Sequence, residues 1–202
     1  MKKWVLITLL LFSGEVLLAQ GASEVSPVID SVKAKWGKVK DLDGAMMTSS
    51  NDIIENITQS KEYTTLVSVI ENAGLTETFK SKGPITIFAP TNQAFDKLPA
   101  GALDTLLKPK HKLDLNNLLT YHAIAGRLTA RDIARKINAN NGEAVFTTIA
   151  GSKLTAKIDG NRNIVLVDES GNESVISKFD IQQRNGILHI VTSVLVPKPK
   201  AI

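Results

Sequence analysis

The stretch Gly83-Pro-Ile-Thr-Ile-Phe-Ala-Pro-Thr-Asn-Gln-Ala-Phe95 constrains the fold more than any other part of the chain. Ile85 and Ile87 alternate with Thr86 between two prolines, the pattern of a short strand. Pro84 suits the first residue of a strand, where no ladder donor is required. Pro90 has no N–H and holds Ala89 extended, so the run ends there. Thr91 or Asn92 then caps a short helix by accepting a bond from an orphan backbone N–H. Ala94, Phe95 and Leu98 give that helix a narrow apolar face. A buried strand thus turns sharply into a helix, with a polar Thr-Asn corner against the core. A second stretch, Asn185-Gly-Ile-Leu-His-Ile-Val-Thr-Ser-Val-Leu-Val-Pro197, looks made to lie near it. The two are expected to share one dry interior at the centre of the fold.

Short helices are expected before strands. Asn51 or Asp52 caps a helix containing Ile53, Ile54 and Ile57. Tyr63, Leu66, Val67, Ile70 and Ala73 recur at helical spacing, and Gly74 closes that run. Thr76 caps a turn ending in Phe79, and Leu103, Leu106 and Leu107 suggest a helix stopped before Pro109. Leu115, Leu118, Leu119 and His122 follow the i, i+3, i+4, i+7 rule, which puts His122 on an apolar face. Ile124, Gly126 and Leu128 form an extended exit, and Thr129 caps a helix through Ile133, Ala134 and Ile137. From Glu143 the pattern changes. Residues 145–150, 153–158, 164–167, 175–181 and 187–196 read as strands separated by hairpin-type turns. Helices followed by consecutive antiparallel strands make the class α+β, not alternating βαβ.

The 202 residues allow one domain plus appendages. Residues 1–19 read as a secretory signal: Lys2 and Lys3, an apolar run from Trp4 to Phe12, and Leu17-Leu18-Ala19 before Gln20. The run is too short to span a bilayer, which takes about 20 apolar residues. Residues 20–50 read as a leader without sustained periodicity, with Trp36 expected to dock on the domain. Residues 51–197 form the domain and 198–202 a solvated tail. The net charge of +4 belongs to the ends, since residues 51–197 carry sixteen basic against fifteen acidic side chains. A domain so balanced lacks the basic stripe that a phosphate backbone requires, and nucleic acid is not an expected partner. The chain has no cysteine, which excludes disulfides, thiolate metal sites and a cysteine nucleophile.

Reactive chemistry is thin. His111, His122 and His189 show no metal-ligand spacing, and no metal or cofactor is expected. His122 and His189 read as interior imidazoles bonded to backbone or to a polar corner such as Thr91-Asn92. No Gly-x-Ser-x-Gly elbow is present, and nothing in the spacing supports a triad built on Ser193. Asp168, Glu169 and Glu173 flank a Gly-Asn turn, either a cation site or a solvated hairpin tip. Arg127, Arg131, Arg135 and Lys136 form a basic helical face, either solvated or able to meet an acidic polysaccharide or lipid headgroups. Asn56-Ile-Thr58 and Asn172-Glu-Ser174 match the glycosylation acceptor pattern.

Three motifs, in order, resemble the fasciclin-type domain family across residues 50–197. Thr86 to Phe95, with Phe88, Pro90, Thr91, Asn92 and Phe95, resembles its first motif. Tyr121-His122 matches its Tyr-His pair. Asn185, Gly186 and His189, followed by Val194-Leu-Val-Pro197, resemble the second. The resemblance implies a wedge of antiparallel strands with a layer of short helices. It implies a secreted or periplasmic, non-enzymatic binding module that meets a cell-surface protein or polysaccharide, with at most peripheral membrane contact. Tyr121, His122, Asp180 and Ile181 match places used for binding in some animal members. Where those members often place Val-Ile-Asp after the motif's histidine, this chain has Ile190-Val-Thr192, with no carboxylate. Two other functions stay open. An exported small-ligand carrier would need an enclosed apolar cavity. A hydrolase would need His122 or His189 within bonding reach of a hydroxyl or carboxylate.

Overall fold

The computed structural model describes residues 39–42, 44–81 and 83–198. The signal, Trp36 with most of the leader, and the end of the tail lie outside the described residues. A hairpin of β1 (Val39–Leu42) and β2 (Ala45–Thr48) comes first. Then follow α1 (Ile53–Thr58), α2 (Thr64–Ala73), α3 (Thr76–Ser81), β3 (Ile85–Pro90), α4 (Asn92–Phe95), α5 (Ala102–Leu106) and α6 (Lys112–Tyr121). After β4 (Ala123–Ala125) and α7 (Ala130–Ala139) come β5 (Glu143–Thr147), β6 (Lys153–Ile158), β7 (Ile164–Val167), β8 (Glu173–Gln183) and β9 (Gly186–Val191). Three helix starts are built as the sequence implied, whereas Thr76, expected as a cap, is the first residue inside α3, where Leu75 O accepts the Phe79 N–H. Asp52 and Glu55 form a reciprocal capping box at α1, Thr91 caps α4, and Thr129 with Asp132 boxes α7.

The main sheet runs β4-β3-β9-β8-β7-β6-β5. One pair, second and third in that order, departs from the expected all-antiparallel arrangement. β3 and β9 are parallel, with Ile85 opposite Gly186 and Pro90 opposite Val191, while the other neighbours in the sheet are antiparallel. The chain leaves β3 through helices and five further strands, and this long crossover lets β9 return in the same direction. The register is tight. A Cβ on Gly186 would fall 2.1 Å from the carbonyl oxygen of Ile85.

The expected single interior is two apolar layers, one on each face of this pair. Ile85, Ile87 and Ala89 of β3 and Leu188 and Ile190 of β9 pack with Ile53, Leu66, Ile70 and Leu118 from the helices. Phe88 and Val191 pack on the other side with Tyr121, Ile133, Phe146 and Leu166. Strict alternation along strands buried on both faces produces this division. Each large aliphatic or aromatic side chain buried this way contributes about 1.5–3 kcal/mol.

Three segments differ from their sequence reading. Residues 39–48, expected in an aperiodic leader, form the β1–β2 hairpin and send Met47 into the core. The hairpin is tied to α1, since the Thr48 N–H donates to Asn56 Oδ1 at 3.0 Å and the Asn56 amide donates to Thr48 O and to Gln183. The expected strand over 145–150 ends at Thr147. Ile149 N–H then donates to Ala123 O at 2.7 Å and Ala150 N–H to Thr120 O, which folds this end of the sheet back against β4. The expected strand over 187–196 ends at Val191, and the chain beyond it leaves the ladder to bond elsewhere.

Candidate functional site

Tyr121 ends α6 and His122 follows it, so the helix terminus sets both rings. Tyr121 is fully buried; its hydroxyl donates to Lys153 O at 2.8 Å and accepts from Glu169 N–H at 3.1 Å. Burial pushes its pKa up to about 12. His122 Nδ1 lies 2.8 Å from Leu118 O, and Nε2 accepts the Leu195 N–H at 2.9 Å. The second bond requires a bare Nε2, so the ring is neutral with its proton on Nδ1. Burial lowers its pKa to about 4. The two rings are struts that join the end of α6 to β6, to the turn after β7 and to the chain after β9.

A second cluster forms where β8 bulges. Asp180 sits at φ 59°, in a register break between Lys178 and Ile181. Its Oδ1 accepts the N–H of Ala130 at the start of α7. His189 Nδ1 accepts the Asp180 N–H at 3.3 Å, and Nε2–H donates to Leu128 O at 2.8 Å. Burial holds the His189 pKa below the usual imidazole range. Phe88 joins the clusters: its N–H donates to His122 O, and its ring stacks on His189 with centroids 5.6 Å apart. Of the four residues expected to bind, Tyr121, His122 and Ile181 are buried, and Asp180 alone is partly exposed. Next to Asp180, Phe179 is 51% exposed, with the Lys40 ammonium 5.8 Å from its ring centroid and bonded to its carbonyl oxygen.

Other candidates resolve into supports. The Thr91-Asn92 corner does not serve the imidazoles, whose partners are all backbone groups. Thr91 caps α4, and Asn92 instead accepts from Thr65 N–H and donates to Lys61 O and Thr64 Oγ1. Pro90 and Phe95 are buried beside it. Asn185 accepts from Ile53 N–H and donates to Phe79 O and Lys80 O, which fastens α1 and α3 to the turn before β9. Arg127 does not belong to the basic helical face. It precedes α7, and its guanidinium donates to the carbonyls of Gln183, Arg184 and Gly186 at 2.8–3.0 Å. Asp168 is not part of a solvated tip. It is buried, and its carboxylate accepts from Ser170 N–H, Asn172 N–H, the Asn172 amide and Val196 N–H. Among the described residues no three histidine or acidic side chains gather as a metal site.

Two depressions among the described residues stand out. A groove of about 780 Å³ runs between the α4–α6 region and residues 193–197. A more polar cleft of about 490 Å³ lies beyond the ends of β3 and β9. Residues 61–197 match the family model for the Fasciclin domain.

The chain belongs to the fasciclin domain family.

Protein sll1483 of Synechocystis sp. is 34% identical over 154 residues, which cover 76% of this chain and 77% of that protein. Cell surface glycolipoprotein MPB83 of Mycobacterium bovis is 35% identical over 115 residues, 57% of this chain and 44% of that one. The solved FAS1 domain pair of the insect cell adhesion molecule fasciclin I superposes with a TM-score of 0.52 at 23% identity. That match covers 63% of this chain and 43% of the other, and it shows the α+β fasciclin fold. Within this fasciclin domain, sequence reasoning passed over Phe179 and gave Arg127 and Asp168 other roles than the ones they have. An aromatic out of step with the alternation of β8 could have marked the first. The other two act on backbone groups that no side-chain pattern reveals.

Proposed function

We propose that this fasciclin domain is an exported, non-enzymatic binding module that holds a protein or a polysaccharide in the periplasm or at the cell exterior. One observation carries the reading. The conspicuous motif side chains spend their polar atoms on internal bonds, which leaves the outer surface to meet a partner. Neither buried imidazole is bonded to a hydroxyl or carboxylate side chain, as a hydrolase would need. The groove beside the α4–α6 region opens to solvent, whereas a carrier calls for an enclosed cavity. Among the described residues no helix is long and apolar enough to cross a membrane. The words "cell surface" and "cell adhesion" in the names of MPB83 and of fasciclin I agree with this reading.

The contact surface is the β8 bulge. Phe179 supplies an exposed aromatic anchor, Lys40 and Asp180 supply charge at its edge, and Ile181 follows them into the core. Aromatic residues carry a large share of interface energy, so Phe179 is the side chain to remove. A pull-down from native envelope, run beside a glycan array, should capture one discrete protein or polysaccharide with the wild-type chain. Phe179→Ala should lose that capture while unfolding at the wild-type temperature. Equal capture by both chains would reject the bulge as the contact surface. The exported chain should also have the mass of a product that lacks residues 1–19.

A further inference from the structure

The main sheet ends in β4 on one side and in β5 on the other. The two ends differ. β4 is three residues long, and its Ala123 O accepts the Ile149 N–H, so that end is short and partly covered. β5 has five residues and none of the devices that blunt an edge, being free of lysine, proline and bulge. The ladder shows which of its main-chain groups are open. Thr148 N–H donates to Ser152 O at the turn into β6, and Phe146–Leu154 and Ala144–Ala156 follow at two-residue steps. The even-numbered residues of β5 therefore bond to β6, and Glu143, Val145 and Thr147 turn their main-chain groups outward. Beyond β6, Asp159 N–H bonds to Asn163 O and the Tyr121 hydroxyl to Lys153 O, as this alternation requires. Asn140 O takes the Glu143 N–H. Among the described residues nothing bonds to Glu143 O or to the N–H and carbonyl of Val145 and Thr147. The same three residues are exposed, Val145 at 61%.

We propose that β5 takes up β5 of a second copy of this chain, antiparallel about a two-fold axis at Val145. In that register the two Val145 residues exchange both N–H···O bonds, and each Thr147 N–H donates to Glu143 O of the second copy. The side chains suit the same register. Val145 packs on Val145, and Glu143 faces a neutral threonine. Lys153, the cross-strand neighbour of Thr147, then lies one strand beyond Glu143 of the second copy, close enough for opposite charges to attract. Lys157, beside Glu143 in its own chain, is held by Glu173 at 2.6 Å. No charge meets its like. This self-complementarity selects a second copy over an extended segment of another protein, and it gives the contact a closed two-fold form. An edge contact this small makes a weak dimer, with a Kd on the order of 100 µM. Two strands separate β5 from β8, which carries Phe179, so edge and bulge stand or fall separately.

Sedimentation equilibrium of the full chain, from about 10 µM to about 1 mM, tests the edge. The mean mass should rise from one copy towards two and go no further. Val145→Lys sets two ammonium groups opposite each other and should weaken the dimer at least about tenfold, as should Val145→Glu with two carboxylates. Mixing the two variants should restore pairing, because each then meets its opposite. Phe179→Ala should dimerise like the wild type. Both positions are exposed, and thermal unfolding of each variant checks that the fold is kept. Amide exchange reads the strand directly. Val145 and Thr147 should exchange freely in the dilute monomer and slowly in the dimer, while Ala144 and Phe146 stay slow in both. A single-copy mass at every concentration overturns the proposal and leaves the edge to another protein. So does a dimer that survives Val145→Lys, fails to return in the mixture or is lost in Phe179→Ala. Slow exchange of Val145 and Thr147 already in the monomer overturns it too, since the chain's own residues would then cover the edge.

Discussion

His122 has both ring nitrogens engaged and no water-facing edge, and its titration follows from that. In the unfolded chain an imidazole protonates near pH ~6.5. In the fold burial delays this to about 4. Between those values the unfolded chain binds more protons than the folded one. Stability is therefore full above about pH 6.5 and falls as the pH drops towards 4, by on the order of 3 kcal/mol for this group. His189 is shifted in the same direction and adds to the loss. Urea midpoints measured from pH 7 to pH 4 should decline, and His122→Phe should flatten the slope while lowering the plateau. His122→Ala should cost roughly 1–3 kcal/mol at neutral pH by leaving Leu118 O and Leu195 N–H unpaired. Wild-type stability with capture of the partner abolished would instead assign His122 a direct contact. Asp180 offers a sharper comparison, because it caps α7 from a left-handed backbone position. Asp180→Asn keeps an acceptor and tolerates that backbone, and should stay within about 0.5 kcal/mol of wild type. Asp180→Ala loses both and should cost about 1–2 kcal/mol in the same assay. Helical spacing placed His122 on an apolar face, but its partners were out of reach, since a backbone carbonyl or N–H has no letter in the sequence.

Elements were legible where a period repeated and ended on punctuation. Residues 153–158 and 164–167 have the strand bounds read from their alternation, and Gly74 closes α2 in a left-handed turn as its position implied. Strand direction was not legible, because it depends on how far the chain travels between two partners. Nor was the β1–β2 hairpin. Its inward pair, Ala45 and Met47, is too short a signal to stand out against Lys and Asp neighbours. The parallel pair makes one glycine decisive. Gly186→Ala would drive a methyl into the Ile85 carbonyl, an atom that cannot rotate away. The cost should be at least about 3 kcal/mol in urea unfolding. Gly160→Ala is the control: a Cβ there meets nothing within 4 Å, and the change should stay within about 0.5 kcal/mol.

At the scale of the molecule, the question is where the cooperative body starts. The match to the Fasciclin domain begins at residue 61, and the composition change lies near residue 51. Met47 is nevertheless buried, and Thr48 pairs with Asn56 in both directions. A chain beginning at residue 51 should therefore unfold more easily than one beginning at residue 39. The expected deficit is about 2–5 kcal/mol, the usual cost of emptying one large core position, read as a lower unfolding temperature and urea midpoint.

The parallel pair also sets a timetable. Ile85 must find Gly186, about 100 residues further on, before the two strands can close on each other. Contacts between such distant partners form slowly, because the loop between them has to be gathered first. β9 must therefore have been synthesised before β3 gains this neighbour. Until then β3 of the nascent chain stays open along one edge, the less folded state that the proposed export would require.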